Sequence, residues 1–404
     1  MHDSVSPCKL TFVGMMKMEM IKLGDLCYPS RGQIKERPDT IIDYIDISAI
    51  DNNSKTISGY QTMAFGEAPS RARKAVEKGN ILVSTVRPNL NAIAILEADT
   101  PNMTVASTGF CVLECKESVD KRFVFNYCKS KAFIDELVSQ ATGASYPAVS
   151  DKIVREAPVP RYSYVEQKRI GETLDKACLI IQKRKSQLAD LDDLIKARFV
   201  EMFGDPASNP MEWMETTVGK ECYYIKDGPH KSLPDIGKEN GGHPFISVRN
   251  IVNHVIDFST ARYVSDEDYA DARKKCCPVK GDMLYSKGGT TGIAKLIDVD
   301  VEFANWVHLA VLKFDRNVLD GLFFENMLNC AYCYDQSQRL TKGIANRDLV
   351  LSAMAQIKMY RPPMELQQQF AAFVSQIDKS KSAIQKSLDE TQLLFDSLMQ
   401  QYFG

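Results

Sequence analysis

Apolar residues recur in steps of three and four over two long stretches of the chain, 166–203 and 366–403. A stripe of this kind, kept up for about five heptads, predicts a helix with one continuous apolar edge. At about 1.5 Å per residue each helix would be roughly 57 Å long, and an amphipathic helix of that length needs a packing partner. We therefore expect the two helices to pack on each other in antiparallel orientation. The residues expected along this helix seam are Ile170, Leu174, Ile181, Leu188, Ile195, Phe370, Val374, Ile377, Ile384, Leu388 and Phe395.

Shorter apolar runs separated by turns occupy the residues ahead of each predicted helix. They predict strands at 41–50, 80–86, 92–96 and 110–114, and again at 245–248, 282–286, 294–298 and 309–314. Helical spacing appears at 123–137 and at 322–340. The expected fold class is therefore α/β (α+β) globules with long helices. Two such globules in a pseudo-two-fold arrangement would be joined by an antiparallel two-helix coiled coil.

The two halves of the chain repeat one another at an offset of about 200 residues. The segment 79–84 (GNILVS) is matched by 281–286 (GDMLYS), and Phe203-Gly204 is matched by Phe403-Gly404. We therefore expect two copies of one unit, each a globule followed by a helix. The expected boundaries are 1–19 for a disordered leader, 20–160 for the first globule, 161–205 for a central helix, 206–362 for the second globule and 363–404 for a C-terminal helix.

Composition and charge narrow the functional classes. Lys and Arg number 50 and Asp and Glu 52, which excludes a uniformly basic nucleic-acid binder but allows a local basic face. No apolar stretch approaches ~18 residues and no signal peptide is apparent, so we expect a cytoplasmic protein without a membrane partner. Eleven cysteines, an odd number, argue against a disulfide framework.

A search for catalytic chemistry finds no constellation that would support it. The Pro362-Pro363 pair lacks the flanking residues of an adenine-methyltransferase loop, and the glycine-rich stretch 288–292 lacks the lysine of a phosphate loop. Cys330-x-x-Cys333 is half of a zinc spacing, but its possible complement, Cys276-Cys277, is adjacent rather than spaced. Buried thiols are therefore favoured over a metal site. No catalytic residue, metal or cofactor is assigned to the chain.

Several short motifs, in the same order in both halves, resemble the specificity (S) subunit of type I restriction-modification systems. They are 141–150 (ATGASYPAVS), 157–160 (APVP) and 166–170 (EQKRI) in the first half, and 340–344 (LTKGI), 361–363 (RPP) and 366–370 (LQQQF) in the second. The resemblance implies two target-recognition domains, each reading one half of a split, asymmetric site in double-stranded DNA. It also implies helices that fix the distance between the half-sites and dock two methylation (M) subunits. Restriction (R) subunits would complete the nuclease, and the S subunit itself would be non-catalytic.

The turn after each Gly-x-x-Leu strand is the strongest candidate for contact with DNA. The two turns follow the same strand motif but contain different residues, as expected of two domains that read different half-sites. Base reading requires hydrogen-bonding side chains at such tips. The candidates are Ser84, Thr85, Arg87, Asn89 and Asn91 in the first turn, and Ser286, Lys287, Thr290 and Thr291 in the second. The alternative for both turns is a solvated hairpin tip.

Three further groups of residues are candidates for the same interface. The first two groups would touch phosphate, or would otherwise be ordinary solvated surface; they are Arg71, Arg73 and Lys74, and Lys231, Arg249 and Asn250. The third group lies at the ends of the globules and would alternatively redirect the chain as helix caps; it comprises Ser145, Tyr146, Lys342, Asn346 and Arg347.

Two other functions are open at the level of the sequence. A two-headed coiled-coil adaptor that does not bind DNA would share the architecture, and it would lack the salt-dependent affinity of a DNA binder. A stand-alone enzyme would show turnover by the isolated chain.

Overall fold

The computed structural model describes residues 18–35, 37–344 and 346–404, so the expected leader lies almost entirely outside the described residues. Contacts divide the chain into two units. The first unit holds the described residues up to Arg184 together with Ser387–Gly404, and the second unit holds Lys185–Lys386. Each unit therefore contains a globule and one part of each long helix.

The first unit is a mixed α+β globule. Its strands are β1 (Met20–Lys22), β2 (Ile41–Ile45), β3 (Ile50–Asp51), β4 (Thr56–Ile57), β5 (Gln61–Ala64), β6 (Ala72–Ala75), β7 (Ile81–Ser84), β8 (Ile93–Ile95), β9 (Met103–Ser107), β10 (Phe110–Leu113) and β11 (Pro158–Pro160). Its helices are α1 (Lys121–Lys129), α2 (Lys131–Ser139), α3 (Asp151–Glu156) and the first part of α4 (Tyr164–Phe203). One sheet has the order β5-β2-β9-β6 and another the order β10-β7-β8, while β1 pairs with β11 and β3 with β4.

The second unit repeats this plan. Its strands are β12 (Met214–Thr217), β13 (Cys222–Asp227), β14 (His243–Ile246), β15 (Arg262–Val264), β16 (Met283–Ser286), β17 (Ala294–Leu296), β18 (Ala304–Asn305), β19 (Leu309–Phe314) and β20 (Lys358–Arg361). Its helices are α5 (Val218–Glu221), α6 (Asp266–Lys275), α7 (Gly321–Asn329), α8 (Ala331–Leu340), α9 (Leu351–Met354) and the first part of α10 (Met364–Phe403). The sheets have the orders β13-β19-β16-β17 and β15-β14-β18, and β12 pairs with β20.

The pairing of the strands confirms the internal repeat. The parallel pair β2–β9 corresponds to the parallel pair β14–β18, and the antiparallel set β10-β7-β8 corresponds to β19-β16-β17. The pair β1–β11 likewise corresponds to β12–β20.

The long helices agree with the apolar spacing that predicted them, and all eleven seam residues are buried or half-buried. In the first unit, Ile170 and Leu174 of α4 share a buried cluster with Phe403 of α10. In the second unit, Phe203 of α4 packs against Phe370 of α10 with ring centroids 5.5 Å apart. Within each unit, residue numbers rise along α4 as they fall along α10, which is the antiparallel orientation expected.

The short elements differ from their predictions where polar residues interrupt an apolar pattern. The strand predicted over 41–50 ends at Ile45, because Asp46 caps a tight turn through the amide of Ile47. The helix predicted over 123–137 is two helices, because Ser130 leaves the helical conformation and caps α2 by accepting from the amide of Phe133 at 3.2 Å. The helix predicted over 322–340 also breaks, at Cys330, whose side chain makes no capping hydrogen bond. Helix α6 was not predicted, since it is polar on nearly all sides.

Candidate nucleic-acid interface

Loop 1 (residues 84–91) connects β7 to β8 and packs against segment 1 (residues 142–148), which follows α2. The backbone amide of Arg87 donates to the carbonyl of Pro147 at 2.7 Å, and the amide of Val149 donates to the carbonyl of Thr85 at 2.9 Å. Segment 1 closes on itself through two backbone hydrogen bonds between residues 142 and 148, of 3.0 and 2.9 Å. Two parts of the sequence that were predicted separately therefore meet in one surface.

Loop 2 (residues 286–292) connects β16 to β17 and meets segment 2 (the described residues of 342–348) in the same way. The amide of Gly289 donates to the carbonyl of Arg347 at 3.1 Å, and the amide of Leu349 donates to the carbonyl of Lys287 at 2.7 Å. Lys342 and Asp348 exchange two backbone hydrogen bonds of 2.9 Å. The two units thus build one backbone frame twice.

A glycine at the same place in each segment makes this frame possible. Gly143 and Gly343 both have positive φ angles, of 99° and 84°. A Cβ atom on Gly143 would lie 2.8 Å from the carbonyl oxygen of Tyr146, and one on Gly343 would lie 2.2 Å from that of Asn346. Any other residue would force the turn open, because both the backbone angle and the space require glycine.

The surface of the first unit presents a cation stacked on an aromatic ring. Arg87 is exposed, and its guanidinium carbon lies 4.6 Å from the ring centroid of Tyr146, which is 62% exposed. Asn89 and Ser145 are also exposed beside this pair. Arg87 adopts a left-handed conformation with φ of 48°, which is uncommon for a residue with a side chain.

Other predicted residues of loop 1 form its frame. Ser84 and Thr85 are buried, and their hydroxyls donate to the carbonyls of Val86 and Gly109, each at 2.9 Å. Asn91 is half-buried in a left-handed conformation, and its carbonyl accepts a hydrogen bond from Lys55. The structure places the two hydroxyls inside the loop rather than on its surface.

Loop 2 has a different interior. Lys287 is only 5% exposed, and its ammonium lies 2.9 Å from a carboxylate oxygen of Asp348 and 3.6 Å from one of Asp227. Ser286 is fully buried and its hydroxyl accepts from the amide of Ile293 at 2.8 Å. Lys287 was expected at an exposed tip, and it is instead an internal ion pair, because Asp227 and Asp348 approach it from distant parts of the chain.

The exposed residues of the second surface are mostly uncharged. Thr290, Lys342 and Asn346 are exposed, whereas Thr291 is 1% exposed. Arg347 is half-buried and donates to Gln338 and, at 3.5 Å, to the hydroxyl of Thr291. The second surface keeps the backbone contacts between loop and segment, but its side chains differ from those of the first, and loop 2 lacks the short turn at 88–90 of loop 1.

Arg71, in the basic cluster before loop 1, is linked to that loop through the backbone of residues 108 and 109. The carbonyl of Arg71 accepts from the amide of Thr108, and the next residue, Gly109, accepts from the amide of Thr85. The side chain of Arg71 is exposed and donates to the hydroxyl of Tyr44 at 3.1 Å, and this bond and the charge of Asp46 raise the pKa of the guanidinium above its usual value.

The two neighbours of Arg71 are less accessible. Arg73 is half-buried over the ring of Phe65, and Lys74 is half-buried with its ammonium on the carbonyl of Phe110 at 2.6 Å and on Asp151. Arg71 is therefore the residue of this cluster with the most solvent-facing charge.

The cluster in the second unit separates in the structure. Lys231 is exposed and lies 3.6 Å from Asp268 at the start of α6. Arg249 is exposed and donates to the carbonyl of Thr260. Asn250 is 1% exposed, and its amide group holds a turn by donating to the carbonyl of Asp257 at 2.9 Å. Asn250 thus lies in the interior of the unit.

Two aromatic residues beside loop 2 were not predicted from the sequence. The amide of Lys287 donates to the carbonyl of His308 at 2.8 Å, and the His308 ring lies 4.8 Å from the ring of Trp306 in an edge-on arrangement. A Cβ atom on Gly288 would lie 1.8 Å from Nδ1 of His308, so the loop reaches this ring only because residue 288 is glycine. The rarity of tryptophan, with two in the chain, was the available signal.

Among the described residues, no group of three or more His, Cys, Asp or Glu side chains could hold a metal ion. Cys330 and Cys333 lie at the start of α8, where Cys333 is fully buried with its Sγ 3.4 Å from the carbonyl of Lys358. None of the described helices is both long enough and apolar enough to cross a membrane.

The duplicated frame coincides with a duplicated family match. Residues 15–189 and 223–391 each match the profile of the type I restriction modification DNA specificity domain. The chain belongs to this family. Its function is that of the specificity subunit of a type I restriction-modification system, and the alternative of an adaptor that does not bind DNA is not favoured.

Individual relatives agree with this membership. The chain is 21% identical over 337 residues to the type I restriction enzyme MjaIX specificity subunit of Methanocaldococcus jannaschii, covering 80% of this chain and 76% of the relative. It is similar to the S subunit of a type I restriction-modification system from M. genitalium, with a TM-score of 0.60, 16% identity and coverage of 96% and 97% of the two chains. It is also similar to a chain from a structural study of complex assembly and conformational transition in a type I R-M system, with a TM-score of 0.56, 23% identity and coverage of 95% and 97%. The two structural likenesses show the shared fold.

Proposed function

We propose that each unit reads one half of a split, asymmetric site in double-stranded DNA through the surface formed by its loop and segment. The observation that carries this proposal is the frame itself. The same backbone hydrogen bonds join loop 1 to segment 1 and loop 2 to segment 2, while the exposed side chains differ. A common scaffold with variable side chains is what two readers of different sequences require.

In the first unit, Arg87 and Asn89 would contact the bases. An arginine fork fits O6 and N7 of guanine, and an asparagine amide fits N6 and N7 of adenine. Tyr146 would hold the Arg87 fork in place by stacking, and Arg71 would contact phosphate.

In the second unit, the contacts would come from Thr290, Asn346 and Lys342, with Trp306 and His308 beside them. Lys287 supports the loop from within, since two carboxylates hold its ammonium.

The partners follow from the same proposal. Residues 20–160 and 206–362 would act as the two target-recognition domains, and α4 and α10 would dock two methylation subunits. Restriction subunits would join to complete the nuclease. The chain itself would be non-catalytic, and it would act only within this complex.

The test is to co-express the chain with the methylation subunits of its system and to map methylated adenines in the host genome. We expect one motif with two defined parts separated by unspecified bases. The double variant Arg87→Ala, Asn89→Ala should relax one part of the motif and leave the other intact, whereas the control Lys152→Met, an exposed lysine on α3, should leave the motif unchanged. Methylation without a defined motif, or loss of both parts together, would overturn the proposal.

A further inference from the structure

The point at which each loop returns to its sheet is anchored by a side chain that no sequence motif indicated. In the first unit, Nζ of Lys55 donates to the carbonyl of Asn91 at 2.6 Å. Asn91 ends the short turn 88–90 in a left-handed conformation, with φ of 47°. Asparagine enters this conformation more readily than most residues with a side chain, and the Lys55 ammonium fixes its carbonyl there.

In the second unit, the anchor is an amide at the end of α7. Oδ1 of Asn329 accepts from the amide of Ala294, and Nδ2 of Asn329 donates to the carbonyl of the same residue, both at 2.9 Å. Ala294 is fully buried and lies two residues beyond Gly292, where loop 2 ends with a φ of 91°. Two hydrogen bonds from one planar group fix both the position and the rotation of the returning strand.

The two anchors are not equivalent residues. The position of Asn329 is occupied in the first unit by Lys129, whose ammonium lies over the ring of Phe125 at 4.7 Å. The position of Lys55 is occupied in the second unit by His254, and both residues have a φ of 57°. His254 also lies against the backbone of Ala294, so in the second unit the position of Lys55 still contacts the loop return, and Asn329 adds two hydrogen bonds there.

Partial burial of the Lys55 ammonium is energetically unfavourable. Lys55 is half-buried, and burial, followed by the charge of Lys129, lowers the pKa of its ammonium. A charged donor with little water around it makes a stronger bond to a carbonyl than an exposed donor would. The bond to Asn91 thus compensates part of the burial of Lys55.

We infer that Lys55 and Asn329 are the positioning residues of the two half-sites, each fixing the return of its loop so that the loop's exposed side chains meet the bases in register. This inference rests on the proposed function. Neither side chain would touch a base, so each would act on discrimination through the loop it holds.

The test uses the assembled complex with the methylation subunits and duplexes that carry the mapped motif or a version with one half replaced. Lys55→Met should reduce discrimination about tenfold in the half-site that Arg87 reads, and it should leave the other half-site and the affinity for unrelated DNA unchanged. Lys55→Arg, which keeps the charged donor, should restore discrimination. Asn329→Leu should produce the complementary loss in the other half-site. Lys152→Met is again the matched control.

The possible results distinguish a failure of the proposed function from a failure of the inference about Lys55 and Asn329. If the wild-type complex binds all duplexes equally, the proposed function fails. If Arg87→Ala relaxes its half-site while Lys55→Met does not, the proposed function stands and the inference is overturned. A uniform loss of affinity for all duplexes, or a loss that Lys55→Arg does not restore, would also overturn it by assigning Lys55 a purely structural role.

Discussion

Loop 1 and loop 2 share the backbone hydrogen bonds at their base and have opposite charge arrangements. Thr85 and Lys287 make the same main-chain bonds, accepting from Val149 and Leu349 and donating to Gly109 and His308. Loop 1 nevertheless carries its cation outside, with Arg87 stacked on Tyr146, whereas loop 2 carries its cation inside, with Lys287 between two carboxylates.

The comparison shows which part of the repeat is constrained. Backbone hydrogen bonds do not depend on side-chain identity, so they maintain the frame while the side chains diverge. The glycines at 143 and 343 are part of the frame, because their positive φ angles permit the shared turn. The cation of a loop can then lie on the surface, as Arg87 does, or in the interior, as Lys287 does, provided that acidic side chains accompany the buried cation.

The largest effect should come from the aromatic residues by which the long helices complete both cores. Phe403 packs on Phe123 in the first unit and Phe203 packs on Phe323 in the second, with centroid distances of 5.5 and 4.9 Å. We expect Phe403→Ala and Phe203→Ala each to lower the free energy of unfolding by about 3–5 kcal/mol. Chemical denaturation measures this, with the exposed Leu393→Ala as the control. A large loss in one variant and none in the other would break the equivalence of the two units.

The next effect tests the interior position of Lys287. Lys287→Met should remove the cation that Asp348 and Asp227 share and lower the free energy of unfolding by about 2 kcal/mol. The loss stays below that of an unpaired buried charge, because Asp227 keeps Lys275 at 3.1 Å and Asp348 is half-buried. The control is Lys280→Met, which breaks an exposed ion pair with Asp300 and should cost well under about 1 kcal/mol. Equal stability of the two variants would show that loop 2 holds its cation no more tightly than the surface does.

These contrasts also show what the sequence could and could not reveal. The steps of three and four in the apolar residues predicted α4 and α10 nearly to the residue, because a long helix repeats one local rule. Ser130 is the polar residue that breaks the helix predicted over 123–137, and its capping chemistry was the available signal. The burial of Lys287 depends on Asp227 and Asp348, which lie far from it in the chain, so no local pattern could have predicted it.

In the candidate interface, too, some features followed from the local sequence and others depend on the tertiary fold. The motif that repeats at 79–84 and 281–286 indicated where the loops are, because the repeat preserves the frame. The pairing of loop 1 with segment 1 brings Arg87 onto Tyr146, and this contact depends on the tertiary fold. Lys55 and Asn329 gave no signal, since a lone lysine in a hairpin or an asparagine at a helix end is common on any surface.

A smaller effect distinguishes base contact from phosphate contact at loop 1. Arg87→Ala should weaken binding of the assembled complex to its own motif by about tenfold, since a bidentate contact with guanine provides roughly 1–3 kcal/mol of discrimination. Arg87→Lys should retain the charge but lose the planar fork, and so recover affinity for unrelated DNA without recovering discrimination. Fluorescence anisotropy at several salt concentrations measures both quantities. Full recovery by lysine would assign Arg87 to phosphate.

The smallest effect concerns pH and a site where the two units differ in polarity. Glu325 in the second unit occupies the place of Phe125 in the first; it is 8% exposed and accepts from the amide of Leu296 at 2.9 Å. Burial raises the pKa of Glu325 above its usual value of 4.5, although the charge of Lys295 opposes the shift. The folded chain therefore holds this proton more tightly than the unfolded chain does, and the associated stability is lost as the pH rises above 4.5.

Hydrogen exchange of the β17 amides in the wild type and in Glu325→Gln measures the effect, and the local stability of the wild type relative to the variant should fall as the pH rises. Parallel curves for the two proteins would mean that Glu325 titrates alike in both states, and the polarity difference between the units would then have no consequence for pH.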